Sequence, residues 1–207
     1  MEWLGLGKGK KKAVVEEKKA YLDSKFLHHK IVDFDFVHGV KLPPGVDLNE
    51  WLATHAVNFF KNINLIFGTV NEQCTTANCP IMNAGATQYN WYDDKNKKIK
   101  LSAPQYIDTV MSFIEKQVND EEIFSTKYGT EFPSCFQNII KKIFKILFHV
   151  IAHIYHSHFQ TIIDLEESTH LNALLLHYVL FTREFNLLDE KETSPLDDLI
   201  QMLKATT

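Results

Sequence analysis

Between residues 135 and 158 apolar side chains recur at a spacing that a helix turns to one side. Phe136, Ile139, Ile140, Ile143, Phe144, Leu147, Val150, Ile151 and Ile154 fit the i, i+3, i+4, i+7 template. So apolar a helix is stable in water only when other elements cover it. The rest of the chain supplies them. Asp47 can cap a helix that carries Leu48, Trp51, Leu52, Val57, Phe59, Phe60, Ile63 and Ile66, with Glu50 as capping-box partner and Gly68 as a stop. Ser102 can cap another over about 103–119, and a further helix is predicted over about 169–185. Ser194-Pro195 opens a last short one. Residues 31–44 read as short and extended, because Ile31, Val32, Phe34 and Phe36 alternate with polar positions before Pro43-Pro44-Gly45 forces a turn. Tyr89 and Trp91, then Ile99 and Leu101, flank the turn-forming run Asp93-Asp94-Lys95-Asn96, so 88–101 reads as a hairpin. The expected class is mainly α, a helix bundle with one small hairpin.

The longest predicted helix also carries His149, His153, His156 and His158 within ten residues, and the polar loop after the first core helix holds Cys74 and Cys79. Two thiols at short spacing plus two imidazoles make the Cys₂His₂ recipe for structural zinc, with four protein ligands and no open position for water. Two buried free thiols, or a small disulfide loop, would account for the cysteines equally well. Helix geometry constrains the choice of histidines. At about 100° per residue, His153 and His158 stand about 140° apart. The pairs His149/His153 and His153/His156 share a face more naturally. His158 can join His153 only if the helix ends near Tyr155-His156, and the fresh apolar set that begins at Phe159 makes a break there reasonable.

The net charge of -4 conceals an asymmetry. Residues 1–30 hold eight Lys against four Asp or Glu, a balance of +4, so the remainder sums to -8. The head, with Lys8, Lys10, Lys11 and Lys12 among glycines, reads as a flexible basic tail over 1–30. An acidic body argues against binding a phosphate backbone, which needs clustered Lys and Arg, and the Cys-to-His separation is far too long for a finger. A run of eighteen apolar residues is absent, so no membrane span is expected. The beginning of the chain lacks an apolar core of signal-peptide length, which points to a cytosolic or nuclear setting. In that setting three cysteines do not suggest a disulfide framework. A zinc hydrolase is the rival reading, but the chain has no His-Glu-x-x-His, no Gly-x-Ser-x-Gly elbow and no phosphate loop.

Several segments resemble the Mob (Mps one binder) family of kinase regulators. Leu42-Pro43-Pro44-Gly45-Val46-Asp47-Leu48-Asn49-Glu50-Trp51 is similar to that family's signature before its first core helix, and Phe59-Phe60-Lys61-Asn62-Ile63-Asn64-Leu65 continues it. Cys74-x4-Cys79-Pro80, Ser102-Ala103-Pro104-Gln105-Tyr106, Ala152 to Phe159, His170-Leu171-Asn172 and Glu184-Phe185-Asn186-Leu187 match as well. The resemblance covers about residues 31–203 and makes 31–207 one domain. It implies a Mob-type four-helix bundle, a monomer when free, with one structural zinc held by Cys74, Cys79, His153 and His158, against the same-face pairs. It also implies a non-catalytic adaptor that binds the basic helical segment preceding the kinase domain of an NDR-type AGC kinase. Glu50, Trp51 and Asn58 fall on the partner-facing helix, with Leu165, Glu166 and His177 as later contributors. Met1 to Leu4, Ile31 to Phe36, Gln88 to Asp93 and Arg183-Glu184-Phe185 look like the Mob-two class. Mob-one proteins carry a basic trio that binds phosphothreonine peptides. The matching positions here are Lys145, Ile146 and His149, so that site is degenerate and weak or no phosphopeptide docking is expected.

Overall fold

A computed structural model describes residues 19–27, 35–93, 95–127 and 129–205. Four long helices form the body: α2 (Leu48–Val70), α3 (Ala103–Val118), α4 (Phe136–Ser157) and α6 (Ser168–Glu184). Short helices α1 (Phe36–Gly39), α5 (Phe159–Asp164), α7 (Glu190–Thr193) and α8 (Asp197–Ala205) fill the corners. The α4 helix is the axis. It packs against α2 and α3, and every residue from Ile146 to Tyr155 is buried. The sequence template shows one apolar stripe, yet this stretch is covered all round, as an axial helix must be.

Local sequence explains most element ends. The Asp47 carboxylate accepts from the backbone N–H groups of Asn49 and Glu50 at 2.8 and 3.1 Å, capping α2 as expected. Before α3, the hydroxyl and backbone N–H of Ser102 both donate to Gln105 Oε1. Gly68 does not stop α2, which runs on to Val70: an α-helical glycine there has open space around its Cα, and a helix of 23 residues tolerates one.

Three further expectations are corrected. The segment predicted to be extended contains α1, because Asp35 Oδ1 accepts from His38 N–H at 2.9 Å and caps a helical turn over Phe36–Gly39. Ile31, Val32 and Phe34 lie outside the described residues. The hairpin shrinks to β3 (Trp91–Tyr92) and β4 (Lys98–Ile99), antiparallel with Trp91 opposite Ile99 and Tyr92 opposite Lys98. Asp93 Oδ1 closes its turn by accepting from Lys95 and Lys97 N–H. A second, unforeseen ladder pairs β1 (Asn83–Ala84) with β2 (Thr87–Gln88) through a turn at Gly85, φ +57°. Finally, the tail predicted over 1–30 is docked at its distal end. Of two 3₁₀ turns, Ala20–Leu22 lies on α5 and α8, and Ser24–Phe26 sets Phe26 edge-on to Phe159 of α5, with Tyr21 and Leu27 buried. Tyr21 makes edge contacts with Tyr155, His156 and Phe159, and Asn172 Nδ2 donates to Phe26 O at 2.8 Å.

An aromatic cluster joins α1, α2 and α6. His177 packs against Phe36, His55 and Phe59, and His55 stacks on Phe181 with ring centroids 4.3 Å apart. Burial, reinforced by His55, pushes His177 down to about 4. Between pH 6.5 and 4 the unfolded chain therefore binds more protons there than the folded one. Stability from this group is present above the unfolded pKa and is lost as pH falls through that window. His177→Phe, which keeps the ring packing, is expected to flatten the drop in melting temperature between pH 7 and pH 5. Melting curves for both proteins at the two pH values check this, and parallel drops would contradict it.

Candidate metal centre

The chain leaves α2 at Val70 and turns at once. Cys74 N–H donates to Val70 O and Cys79 N–H to Thr75 O, so the loop is wound tightly and both thiols face inward. On the other side α4 ends at Ser157. His158 follows with φ -131° and ψ 9°, outside helical space, and its N–H still donates to Ile154 O at 2.9 Å. That one non-helical residue swings its imidazole back toward His153, and the ring centroids come to 5.1 Å. The break expected near His156 falls one to two residues later, and it resolves the clash between sequence spacing and helical geometry.

The donor atoms of Cys74, Cys79, His153 and His158 all lie within 4.8 Å of one another, and all four residues are buried. Cys74 Sγ is 3.5 Å from His153 Nε2, and Cys79 Sγ is 3.6 Å from His158 Nε2. A tetrahedral ion with bonds of about 2.3 Å to sulfur and about 2.0–2.1 Å to nitrogen places S and N donors about 3.6 Å apart. The Cys74–His153 and Cys79–His158 pairs thus stand at the separation such an ion requires, and all four donors are close enough to share one. Orientation of His153 is fixed from behind. Its Nδ1 donates to the carbonyl of Asn83 in β1 at 2.8 Å, which leaves Nε2 deprotonated toward the ligand position. Burial, with the neighbouring Cys79 sulfur second, raises the Cys74 thiol to about 12, and burial also raises Cys79. Burial and then His153 lower His158 to about 4. Neutral imidazoles and two thiols deprived of water are the groups a divalent cation would convert into thiolate and imidazole ligands.

The same-face histidines are engaged elsewhere. His149 Nδ1 is 2.7 Å from Tyr106 Oη, and its ring stacks on Tyr89 at 3.9 Å. His156 Nε2 lies 3.1 Å from both Tyr21 Oη and Pro195 O. Gly85 comes so close beneath His156 that an added Cβ would stand 3.1 Å from its Cε1. Lys145 Nζ is bonded to Glu192 Oε1 at 2.7 Å, and His149 is buried with Nε2 3.8 Å from Glu192 Oε2. Glu192, faced by His149 and bonded by Lys145, is held down at about 2. Burial lowers His149, so it is neutral at pH 7.

The surface residues divide. The side chains of Glu50 and Asn58 are exposed on α2. Trp51 is half-buried. Its Nε1 donates to Val40 O at 3.4 Å, and its ring lies 4.1 Å from His55. Through His55 the structure brings His177 to the same neighbourhood. Leu165, 48% exposed, and Glu166, at φ +59°, form the corner between α5 and α6, and no described contact joins them to Glu50 or Asn58. Sequence reasoning missed Asn83, Tyr89, Tyr106 and Glu192. Asn83 acts through a backbone carbonyl, which no residue type reveals, and the other three are set by packing.

Four buried Cys and His side chains, close enough to hold one metal ion, thus bring the end of one bundle helix to the loop beyond another in a mainly helical domain. Comparison with known proteins specifies it further. The Mob1/phocein family model matches residues 28–196, and the chain belongs to that family. It is 51% identical over 208 residues to MOB kinase activator 2 of Mus musculus, covering 98% of this chain and 88% of that protein. The Homo sapiens protein of the same name is 50% identical over 208 residues, covering 98% and 87%. MOB kinase activator-like 1 homolog A of Dictyostelium discoideum is 46% identical over 196 residues, covering 93% and 92%.

His158→Ala is expected to abolish metal binding and lower the melting temperature, whereas His156→Ala leaves the metal content unchanged. Metal analysis of the purified variants distinguishes them, and metal retained by His158→Ala would contradict the ligand set.

Proposed function

We propose that this chain is a non-catalytic regulatory adaptor. It holds one structural zinc ion at Cys74, Cys79, His153 and His158, and it grips the basic helical segment that precedes the catalytic domain of an NDR-type AGC protein kinase. The observation that carries this reading is the convergence of four buried donors to within 4.8 Å of one another, beside a long helix that exposes Glu50 and Asn58. Thiolate and imidazole together select zinc over the hard cations that prefer oxygen donors. Four protein ligands leave no coordination position for a reacting water, which favours a scaffold over a zinc hydrolase.

The partner surface is α2. Glu50 and Asn58 stand exposed there beside half-buried Trp51, and the incoming segment adds Leu42, Val46 and Leu48, each between 37 and 39% exposed. An apolar rim with an anionic group suits an amphipathic basic helix, whose charges would speed encounter and fix register. His177 supports Trp51 through His55, while Leu165 and Glu166 offer a second contact at the α5–α6 corner. The names of the relatives, MOB kinase activators, agree with a kinase partner. No helix among the described residues is long and apolar enough to cross a membrane. On this reading the free protein is a monomer of the cytoplasm, and also of the nucleus.

Phosphopeptide docking at Lys145 and His149 is not part of this reading. The Lys145 ammonium is already paired with Glu192, Ile146 is apolar, and His149 is buried and neutral. A phosphate would have to displace a carboxylate held in a 2.7 Å ion pair, with one permanent cation to reward it.

Two outcomes follow. The kinase's N-terminal segment is expected to co-purify with this chain and Glu50→Lys to weaken that complex about tenfold, roughly 1.4 kcal/mol. Calorimetry on both proteins checks it, and unchanged affinity with Trp51→Ala as well would move the surface elsewhere. Phosphothreonine peptides are expected to bind no better than their unphosphorylated forms. Tight phosphate-dependent binding that Lys145→Ala removes would refute the degenerate-site reading.

A further inference from the structure

The four ligands do not share one environment. Cys74 and His153 are sealed, 2% and 0% exposed, behind α4 and β1. Cys79 and His158 instead form part of the wall of a surface cleft of about 530 Å³, whose other walls include Gln73, Asn78, Ser157 and Thr161. Those walls are polar, so the cleft admits water and small polar solutes up to one side of the centre. Pro80 and the 48%-exposed Ile81 form its rim. Cys79 is thus the sulfur that a diffusing solute meets first, and Cys74 lies behind it in the same tight loop.

We propose that this cleft makes the metal centre a peroxide-sensitive modification site, at which Cys79 is oxidised first and the ion is expelled as a Cys74–Cys79 disulfide forms. This rests on the zinc reading given above. The steps balance with hydrogen peroxide as oxidant. The Cys79 thiolate attacks one peroxide oxygen, the O–O bond breaks, and the departing hydroxide takes a proton to leave as water, giving a sulfenic acid at Cys79. The Cys74 thiolate then attacks the Cys79 sulfur, and the sulfenic oxygen leaves with a second proton as another water. Two thiolates have lost two electrons, one peroxide has gained them, and the zinc ion has lost both sulfur ligands. His153 and His158 alone do not hold it, so the loop after α2 is released from the α4–α5 junction. A thiol reductant with added zinc reverses the change.

The test uses full-length, zinc-loaded protein carrying Cys135→Ser, because Cys135 is exposed and would react independently. Zinc content is measured first, by metal analysis. Hydrogen peroxide is then added, zinc release is followed with a chromogenic chelator, and the products are mapped by mass spectrometry. Separately, brief alkylation of the loaded protein ranks the two thiols. The expected result is stoichiometric zinc release with a Cys74–Cys79 disulfide, reversal by reductant and zinc, and alkylation of Cys79 ahead of Cys74. Thr161→Phe, which narrows the cleft, slows release several-fold while the melting temperature stays the same. Should that variant misfold, the alkylation order still decides. Zinc retained under peroxide, or Cys74 modified first, overturns the proposal and leaves the zinc reading intact. Protein purified without zinc overturns the zinc reading and the proposal with it.

Discussion

The complete burial of α4 between Ile146 and Tyr155 governs the rest of the molecule. A helix with no solvent face must have a partner for every polar side chain it carries, because an unpartnered buried group costs on the order of 1–3 kcal/mol. Three such groups lie in that stretch, and each recruits a different element. His149 takes Tyr106 from α3, His153 takes the Asn83 carbonyl from β1, and Tyr155 takes Asn172 from α6 at 2.8 Å. Tyr178 of α6 likewise donates to the Phe144 carbonyl of the same helix. These bonds set the register of three neighbours against the axis. Apolar packing alone would have held them with much less specificity.

The position of the metal centre follows from the same constraint. His153 is fully buried, where a charged imidazolium would be expensive, so it is a neutral base oriented by Asn83. Its free nitrogen needs a partner on the side where the α2 loop arrives with two thiols. A cation would satisfy all four groups at once, whereas hydrogen bonds among two thiols and two imidazoles are weak. The β1–β2 ladder, only two residues per strand, earns its place by presenting the Asn83 carbonyl to His153 and Gly85 to His156.

Much of this was legible in the residues themselves. Period 3.6 located all four long helices, and Asp47 and Ser102 marked the starts of two of them. The Cys/His inventory gave the centre, but helical angles alone favoured the wrong histidine pairs, and only the resemblance to known relatives selected His158. What sequence could not supply was tertiary in origin. The helix end at Ser157 depends on Phe159 entering the core, where its ring stacks on Tyr155 with centroids 5.4 Å apart. The α1 turn won over an extended segment through a single Asp35 cap that period-2 alternation does not report. Tyr21 looked like part of a basic tail because its neighbours are lysines, yet one buried tyrosine contacting three rings outweighs the solvation of the charges around it.

Glu192 shows how a site can be closed without losing its shape. The cleft between the hairpins and α4 retains a volume of about 500 Å³ and aromatic walls in Tyr89, Trp91 and Tyr106. Geometry alone would make it a docking pocket. Of the two lysines that line it, Lys145 already faces a carboxylate from α7. Lys142, which also lines the cleft, lies over the rings of Trp91 and Phe113, 5.5 and 4.3 Å from their centroids. An incoming anion would compete with the Glu192 carboxylate for the Lys145 ammonium. Two chains with the same fold and the same cleft can therefore differ in ligand according to which charges remain free.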